Sequence, residues 1–155
     1  MIASVLAEIQ NRTKVKILIV EDDTPLAMMM VHVLSRTGCD VQVAATGQRG
    51  LELTKEIEFD LIALDVDLSD IGGFEICRKL KQAPISRNTP VVFVSTRSCE
   101  QDIQRASEVG AVDYIVVPFE ATDFIFRIVS QVKARVPTAL AEKETASSSE
   151  SWAVA

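Results

Sequence analysis

Two stretches decide the fold: Lys16-Ile17-Leu18-Ile19-Val20-Glu21-Asp22-Asp23 and Phe59-Asp60-Leu61-Ile62-Ala63-Leu64-Asp65. Each is a short apolar run that stops on carboxylates. Runs that are apolar without alternation fit strands buried on both faces, as in a parallel sheet covered by helices. The carboxyl ends of such strands share one edge, where open α/β sheets bind ligands, so Glu21, Asp22 and Asp65 are expected to meet in one pocket. Two carboxylates ~4 Å apart repel by roughly 4 kcal/mol at an effective dielectric of about 20, and a Mg²⁺ between them, or a raised pKa on one, relieves it. The sequence therefore predicts an acidic site suited to phosphate chemistry.

Working outward, strand-like runs alternate with helical stripes from Lys14 to about Val136. That alternation predicts an α/β class fold, a doubly wound five-stranded parallel sheet with five helices. The expected strands are Lys16 to Val20, Asp40 to Ala44, Leu61 to Asp65, Val91 to Ser95 and Asp113 to Val116. The first helix has Thr24 as its expected cap, Pro25 at its first helical position, an inward stripe of Leu26, Met29, Met30, Val33 and Leu34, and Gly38 as its stop. The second places Gly50, Leu53, Thr54 and Ile57 inward, and the third Phe74, Cys77 and Leu80. Ser98-Cys99-Glu100-Gln101 has the form of a capping box for the fourth, with Cys99, Ile103, Ala106 and Val109 on one stripe and Gly110 as its stop. The fifth, after Pro118, turns Phe124, Ile125, Ile128, Val129 and Val132 inward and leaves Phe126 off the stripe.

At 155 residues and 48% hydrophobic content the chain has enough apolar material for one core. Residues 1–13 read as an N-terminal extension in which Ser4 to Gln10 can form a helical turn, 14–136 as the domain, and 137–155 as a flexible polar tail ending in Trp152-Ala153-Val154-Ala155. A net charge of −6 disfavours binding to nucleic acid or an anionic membrane. No signal peptide or transmembrane run is evident, so a cytoplasmic location is expected. Cys39, Cys77 and Cys99 are widely spaced and odd in number, which fits reduced core thiols rather than a disulfide frame or a zinc site. His32 reads as a partly exposed helical histidine, and Met28-Met29-Met30 as core filler.

Four blocks in this order resemble the receiver domain of bacterial two-component response regulators: Ile19-Val20-Glu21-Asp22-Asp23; Leu64-Asp65-Val66-Asp67-Leu68 followed by Gly72-Gly73-Phe74-Glu75; Pro90-Val91-Val92-Phe93-Val94-Ser95; and Gly110-Ala111-Val112-Asp113-Tyr114-Ile115-Val116-Val117-Pro118-Phe119. The resemblance covers about Lys14 to Val136 and implies the flavodoxin-like receiver fold. It implies that Asp65 is the phosphoacceptor, that Glu21, Asp22, Asp65 and the backbone carbonyl of Asp67 hold Mg²⁺, and that Ser95 and Tyr114 are the hydroxyl and aromatic switch residues. It also implies a cis peptide before Pro118. The chemistry is coherent, with a carboxylate attacking phosphorus while a metal ion and a hydroxyl stabilise the transferring group.

The chain departs from the family at several points. Val117 stands where a lysine usually precedes the Pro-Phe pair, Ser69 replaces a usual proline, Gly72 a common acidic or polar residue, and Thr96 a smaller one. A lysine at 117 would contact the acceptor carboxylate and then the phosphoryl oxygens, a charge-assisted contact worth about 1.5 to 3 kcal/mol. Asp67 and Arg97 flank the pocket, and Arg97 is placed to approach either Asp67 or the phosphoryl oxygens.

The expected function is a phosphoacceptor receiver in a two-component phosphorelay, one that takes a phosphoryl group on Asp65 from a histidine kinase or phosphotransfer protein. It would be a signalling phosphoprotein rather than an enzyme. With a short polar tail after it, the domain is expected to act on a downstream protein through the face of helix four, strand five and helix five, with a homodimer as another option. The alternative, motivated by Val117, is a pseudo-receiver that serves as an interaction module without phosphorylation. Asp65-Val66-Asp67 also has the form of the haloacid-dehalogenase nucleophile pair, but that enzyme reading expects the pair after the first strand and a downstream lysine, neither of which is evident.

Overall fold

The computed structural model describes residues 2–3 and 14–135, so the expectations for the N-terminal extension and the polar tail lie outside the described residues. Five strands and five helices alternate through residues 16–134: β1 (Lys16–Val20), α1 (Thr24–Ser35), β2 (Asp40–Ala44), α2 (Gly47–Glu56), β3 (Leu61–Leu64), α3 (Gly73–Gln82), β4 (Val91–Ser95), α4 (Glu100–Glu108), β5 (Asp113–Val116) and α5 (Ala121–Ala134). All strand pairs are parallel, in the order β2-β1-β3-β4-β5. The order reverses between β1 and β3, and that reversal opens a crevice at their carboxyl ends.

Side-chain alternation along the strands divides the interior in two. Ile17 and Ile19 of β1 join Ala63, Val92, Val94 and Ile115 under α1 and α5, where Met30, Leu34, Phe124, Ile128 and Val132 complete the layer. Leu18 and Val20 join Ile62, Leu64, Val91 and Phe93 on the other face, closed by Leu53, Phe74, Cys77, Leu80 and Ala106 from α2, α3 and α4. Because both faces are covered, β1, β3 and β4 show no polar alternation.

Several local expectations need correction. The cap of α1 is Asp23, whose Oδ1 accepts the Leu26 N–H at 2.9 Å, with Thr24 inside the helix. A carboxylate there also complements the positive helix end. On α1 only Ala27, Met30 and Leu34 are buried, whereas Met28 and Met29 are exposed, so the methionine run is not core filler throughout. α1 stops at Ser35, and a turn carries the chain to Gly38 at φ 86°. α4 has no side-chain cap: Cys99 precedes it, with its Sγ 3.0 Å from Asp102 Oδ2.

The stripe expected on α4 reduces to Ala106, for Cys99 and Ile103 are exposed and Val109 is half-buried. Cys99 is thus a surface thiol, whereas Cys39 and Cys77 are buried. α4 lies at the thin edge of its layer, and a cleft of about 280 Å³ separates it from β5 and α5. Among the described residues no helix is long and apolar enough to cross a membrane.

Candidate phosphoacceptor site

Sheet hydrogen bonding runs one residue past β1 and β3. Val20 pairs with Leu64, the Asp65 N–H donates to the Val20 carbonyl at 3.0 Å, and the Glu21 N–H donates to the Ala44 carbonyl at 3.0 Å. The register therefore delivers the first residue after each strand, Glu21 and Asp65, to the same crevice. Single carboxylate oxygens of Glu21, Asp22 and Asp65 all lie within 4.8 Å of one another. Glu21 is 3% exposed, Asp65 is half-buried and Asp22 faces solvent.

Electrostatics follow from that geometry. Burial pushes the Glu21 carboxyl up to about 8, and the neighbouring charges of Asp65 and Asp22 add to the effect. Burial also raises Asp65, against the backbone amides of Asp67 and Val66, which favour its charged form. Their mutual contact raises Glu21 and lowers Asp65, so Glu21 is the one of the pair that takes up a proton the more readily. Glu21 Oε1 accepts the Asp23 N–H at 3.0 Å, but its Oε2 is buried without a partner. An unpartnered buried oxygen costs about 1–3 kcal/mol, and two substituents relieve it here, a proton or a hard divalent cation. The donor set fits Mg²⁺.

Glycines bring the neighbouring loops close. A Cβ on Gly73 would overlap the Asp65 carbonyl oxygen and lie 2.8 Å from Val66 Cα, so α3 can begin directly behind the segment that follows β3 only because that residue has no side chain. Asp70, three residues beyond Asp67, accepts the N–H groups of Gly47 and Gln48 at 2.9 Å each and so pins the β3–α3 loop to the start of α2. Sequence reasoning missed this contact. Its partner lies more than twenty residues earlier, and an aspartate in a turn-rich segment carries no sign of which amides it will meet.

The other half of the pocket comes from β4 and β5. Ser95, the last residue of β4, is 1% exposed, and its Oγ accepts the Arg97 N–H at 3.2 Å. Tyr114 is buried at the end of a row of rings, Phe74 to Phe93 at 5.2 Å and Phe93 to Tyr114 at 6.1 Å, and its hydroxyl donates to the Arg97 carbonyl at 2.7 Å. Asp67 stands outside the acid cluster. Its carboxylate turns outward to Arg97, Nε to Oδ2 at 2.8 Å, and Arg97 Nη1 lies 3.5 Å from Asp102 on α4. Val117 is half-buried against the layer under α1 and α5, its N–H donates to the Ser95 carbonyl at 2.9 Å, and the peptide to Pro118 is cis.

Residues 17–129 match the model of the response regulator receiver domain family. The chain is 38% identical over 113 residues to the response regulator ArlR of Staphylococcus saprophyticus, which covers 73% of this chain and 50% of that protein. It spans about half the length of the curated relatives it matches. Among solved structures it is similar to the chemotaxis protein CheY4 of Vibrio cholerae, with a TM-score of 0.70 and 27% identity over 75% of this chain and 99% of that one. The BeF3-activated DrrB receiver domain gives a TM-score of 0.71 and 29% identity, covering 78% of this chain and 99% of that one. With the family's fold, the acid cluster at its switch point and the matching residues in hand, the chain belongs to the response regulator receiver domain family.

Proposed function

We propose that this domain is a phosphoacceptor in two-component signalling and that Asp65 receives the phosphoryl group from a histidine kinase or a phosphotransfer protein. The observation that carries the reading is the convergence of Glu21, Asp22 and Asp65, with one buried glutamate oxygen left without a partner. An Asp65 carboxylate oxygen attacks the phosphorus, the bond from phosphorus to the donor's imidazole nitrogen breaks, and that nitrogen keeps the electron pair. Glu21, Asp22, Asp65 and the Asp67 carbonyl would hold Mg²⁺, whose charge offsets that of the transferring group. Ser95 donates its hydroxyl hydrogen to a phosphoryl oxygen, and Tyr114, joined to the same loop through the Arg97 carbonyl, follows the change.

The downstream partner reads the face of α4, β5 and α5, where Ile103, Val112 and Phe126 are exposed. An interaction module without phosphorylation would have no use for a partly buried acid cluster that raises the pKa of its own members. The test is the mass of the intact protein after incubation with acetyl phosphate and Mg²⁺. One added phosphoryl group is expected in the wild type and none in Asp65→Asn. Equal masses in the two proteins would overturn the assignment. In a parallel titration, Asp22→Ala should weaken Mg²⁺ binding at least about tenfold, since it removes one of few charged ligands.

A further inference from the structure

We propose that Arg97 provides the cationic contact to phosphorylated Asp65 that Val117 cannot, exchanging Asp67 and Asp102 for the phosphoryl oxygens. The inference rests on the phosphoacceptor reading of Asp65. Its starting point is an imbalance of charge: Glu21, Asp22 and Asp65 meet in one crevice and the outward-turned Asp67 adds its charge beside Asp65, while position 117 presents a half-buried valine packed against the layer under α1 and α5. Arg97 occupies the mouth of that crevice. Its Nε is bonded to the carboxylate of Asp67, two residues along from the acceptor, and its Nη1 faces Asp102.

These present contacts are of the kind that exchange readily. The side chains of Arg97 and Asp67 are 48% and 53% exposed, and ion pairs this open to water contribute about 0–1 kcal/mol. A phosphoryl group on Asp65 carries close to two negative charges and three acceptor oxygens, and a guanidinium matches such oxygens in pairs. Transfer from an acyl phosphate forms the bond from Asp65 oxygen to phosphorus, breaks the bond from phosphorus to the acyl oxygen, and releases the carboxylate with the electron pair. It therefore leaves more negative charge beside Asp67 than before, and the arginine follows it.

The backbone of Arg97 gives the exchange a consequence. Its N–H is held by Ser95 and its carbonyl by Tyr114, so both proposed switch residues are attached to the residue whose side chain moves. Leaving Asp102 also frees a carboxylate in the first turn of α4. In this chain a residue of the β4–α4 loop thus takes the place of the lysine that the family resemblance expects at position 117 and carries the signal directly to α4.

The test uses beryllofluoride, a phosphoryl mimic, titrated with Mg²⁺ into wild type, Arg97→Gln, Val117→Lys and the double variant, with Mg²⁺ affinity measured separately. Arg97→Gln is expected to weaken beryllofluoride binding about tenfold or more while leaving Mg²⁺ affinity equal or higher, and Val117→Lys in the same chain should restore it to within about threefold of wild type. Asp67→Asn, which frees the guanidinium, should strengthen beryllofluoride binding. Beryllofluoride binding that Arg97→Gln leaves within about twofold, or a loss equal with and without the lysine, would overturn the role of Arg97 and leave the acceptor reading standing. If wild type fails to bind and Val117→Lys binds, the arginine does not replace the lysine. If neither binds, the phosphoacceptor reading fails and this one with it.

Discussion

At the ends of β1 and β3 three carboxylates converge behind tightly packed backbone, and one of their oxygens has no partner. Just past β5 stands a half-buried valine, and the face of α4, β5 and α5 exposes Ile103, Val112 and Phe126, the first two lining an open cleft. The first edge is built for charge and fixed geometry. The second is apolar and loosely covered, which suits a surface that other proteins read. The difference teaches that, on the proposed reading, holding a phosphoryl group and compensating its charge are separable: the β1–β3 edge brings the carboxylates together for the first task, and the second falls to whatever cation the loops supply.

The largest effect should come from the packed edge. Gly73→Ala places a methyl group into the Asp65 carbonyl and against Val66 Cα, where backbone has to move. A loss of about 3 kcal/mol or more in urea unfolding is expected, together with loss of phosphoryl incorporation. Gly72→Ala is the matched control, because nothing lies within 4 Å of its Cβ and its φ of −62° suits any residue. It should stay within about 1 kcal/mol of wild type. Similar losses in both variants would show that the close approach at Gly73 is not what fixes this edge.

Glu21 gives the next effect. Its carboxyl has an ordinary value of 4.5 and is held at about 8 in the fold, so between those limits the folded state binds more protons than the unfolded one. The contribution is therefore fully present below pH 4.5 and is lost as pH rises toward 8. In EDTA, stability should fall across this window by on the order of 2 kcal/mol more in wild type than in Glu21→Gln, the full shift being divided with Asp65. Millimolar Mg²⁺ should remove most of the slope. Parallel slopes for the two proteins would mean that Glu21 does not take up the proton.

How far these features were legible in the sequence depends on the distance over which they are encoded. The strands and the meeting of Glu21, Asp22 and Asp65 follow from apolar runs that end on acids, since parallel register does the rest. Phe126 was legible because α5 keeps its period of burial, with Phe124, Ile128, Val129 and Val132 inside. α4 was not, because a helix over the thin edge of a sheet buries one small residue and leaves Ile103 outside despite its apolar spacing. The caps of α1 and α4 failed for a local reason. Neighbouring candidates, Asp23 against Thr24 and Ser98 against Cys99, differ only in backbone direction, which tertiary packing sets. Long-range polar contacts such as Asp70 to α2 and Arg97 to Asp102 leave no periodic trace.

Val117→Lys tests the open edge directly. In an Arg97→Gln background, an ammonium at position 117 should raise the initial rate of phosphoryl incorporation from acetyl phosphate about tenfold, the gain expected of one added charge-assisted contact. Removing a half-buried valine should at the same time lower stability by about 1 kcal/mol. In the wild-type background the same lysine should leave the rate within about twofold, because Arg97 already supplies the charge, and a tenfold gain there would count against the arginine.

The smallest effect on folding and the most selective effect on function should come from Phe126→Ala. Phe126 is 45% exposed and lies off the buried stripe of α5, so its ring contributes little to the interior. Its carbonyl accepts the Ser130 hydroxyl at 2.6 Å, a backbone contact that alanine keeps. Unfolding free energy should therefore change by no more than about 0.5 kcal/mol, the range of ordinary surface positions. An exposed aromatic is the kind of anchor that carries binding energy, and its truncation typically costs about 1–2 kcal/mol of association. Sedimentation of the beryllofluoride-loaded protein over a range of concentrations measures self-association, and any dimer that uses this face should weaken about tenfold in the variant. A clear loss of melting temperature with association unchanged would reverse the assignment, and the β5 edge would then be part of the core rather than the face presented to partners.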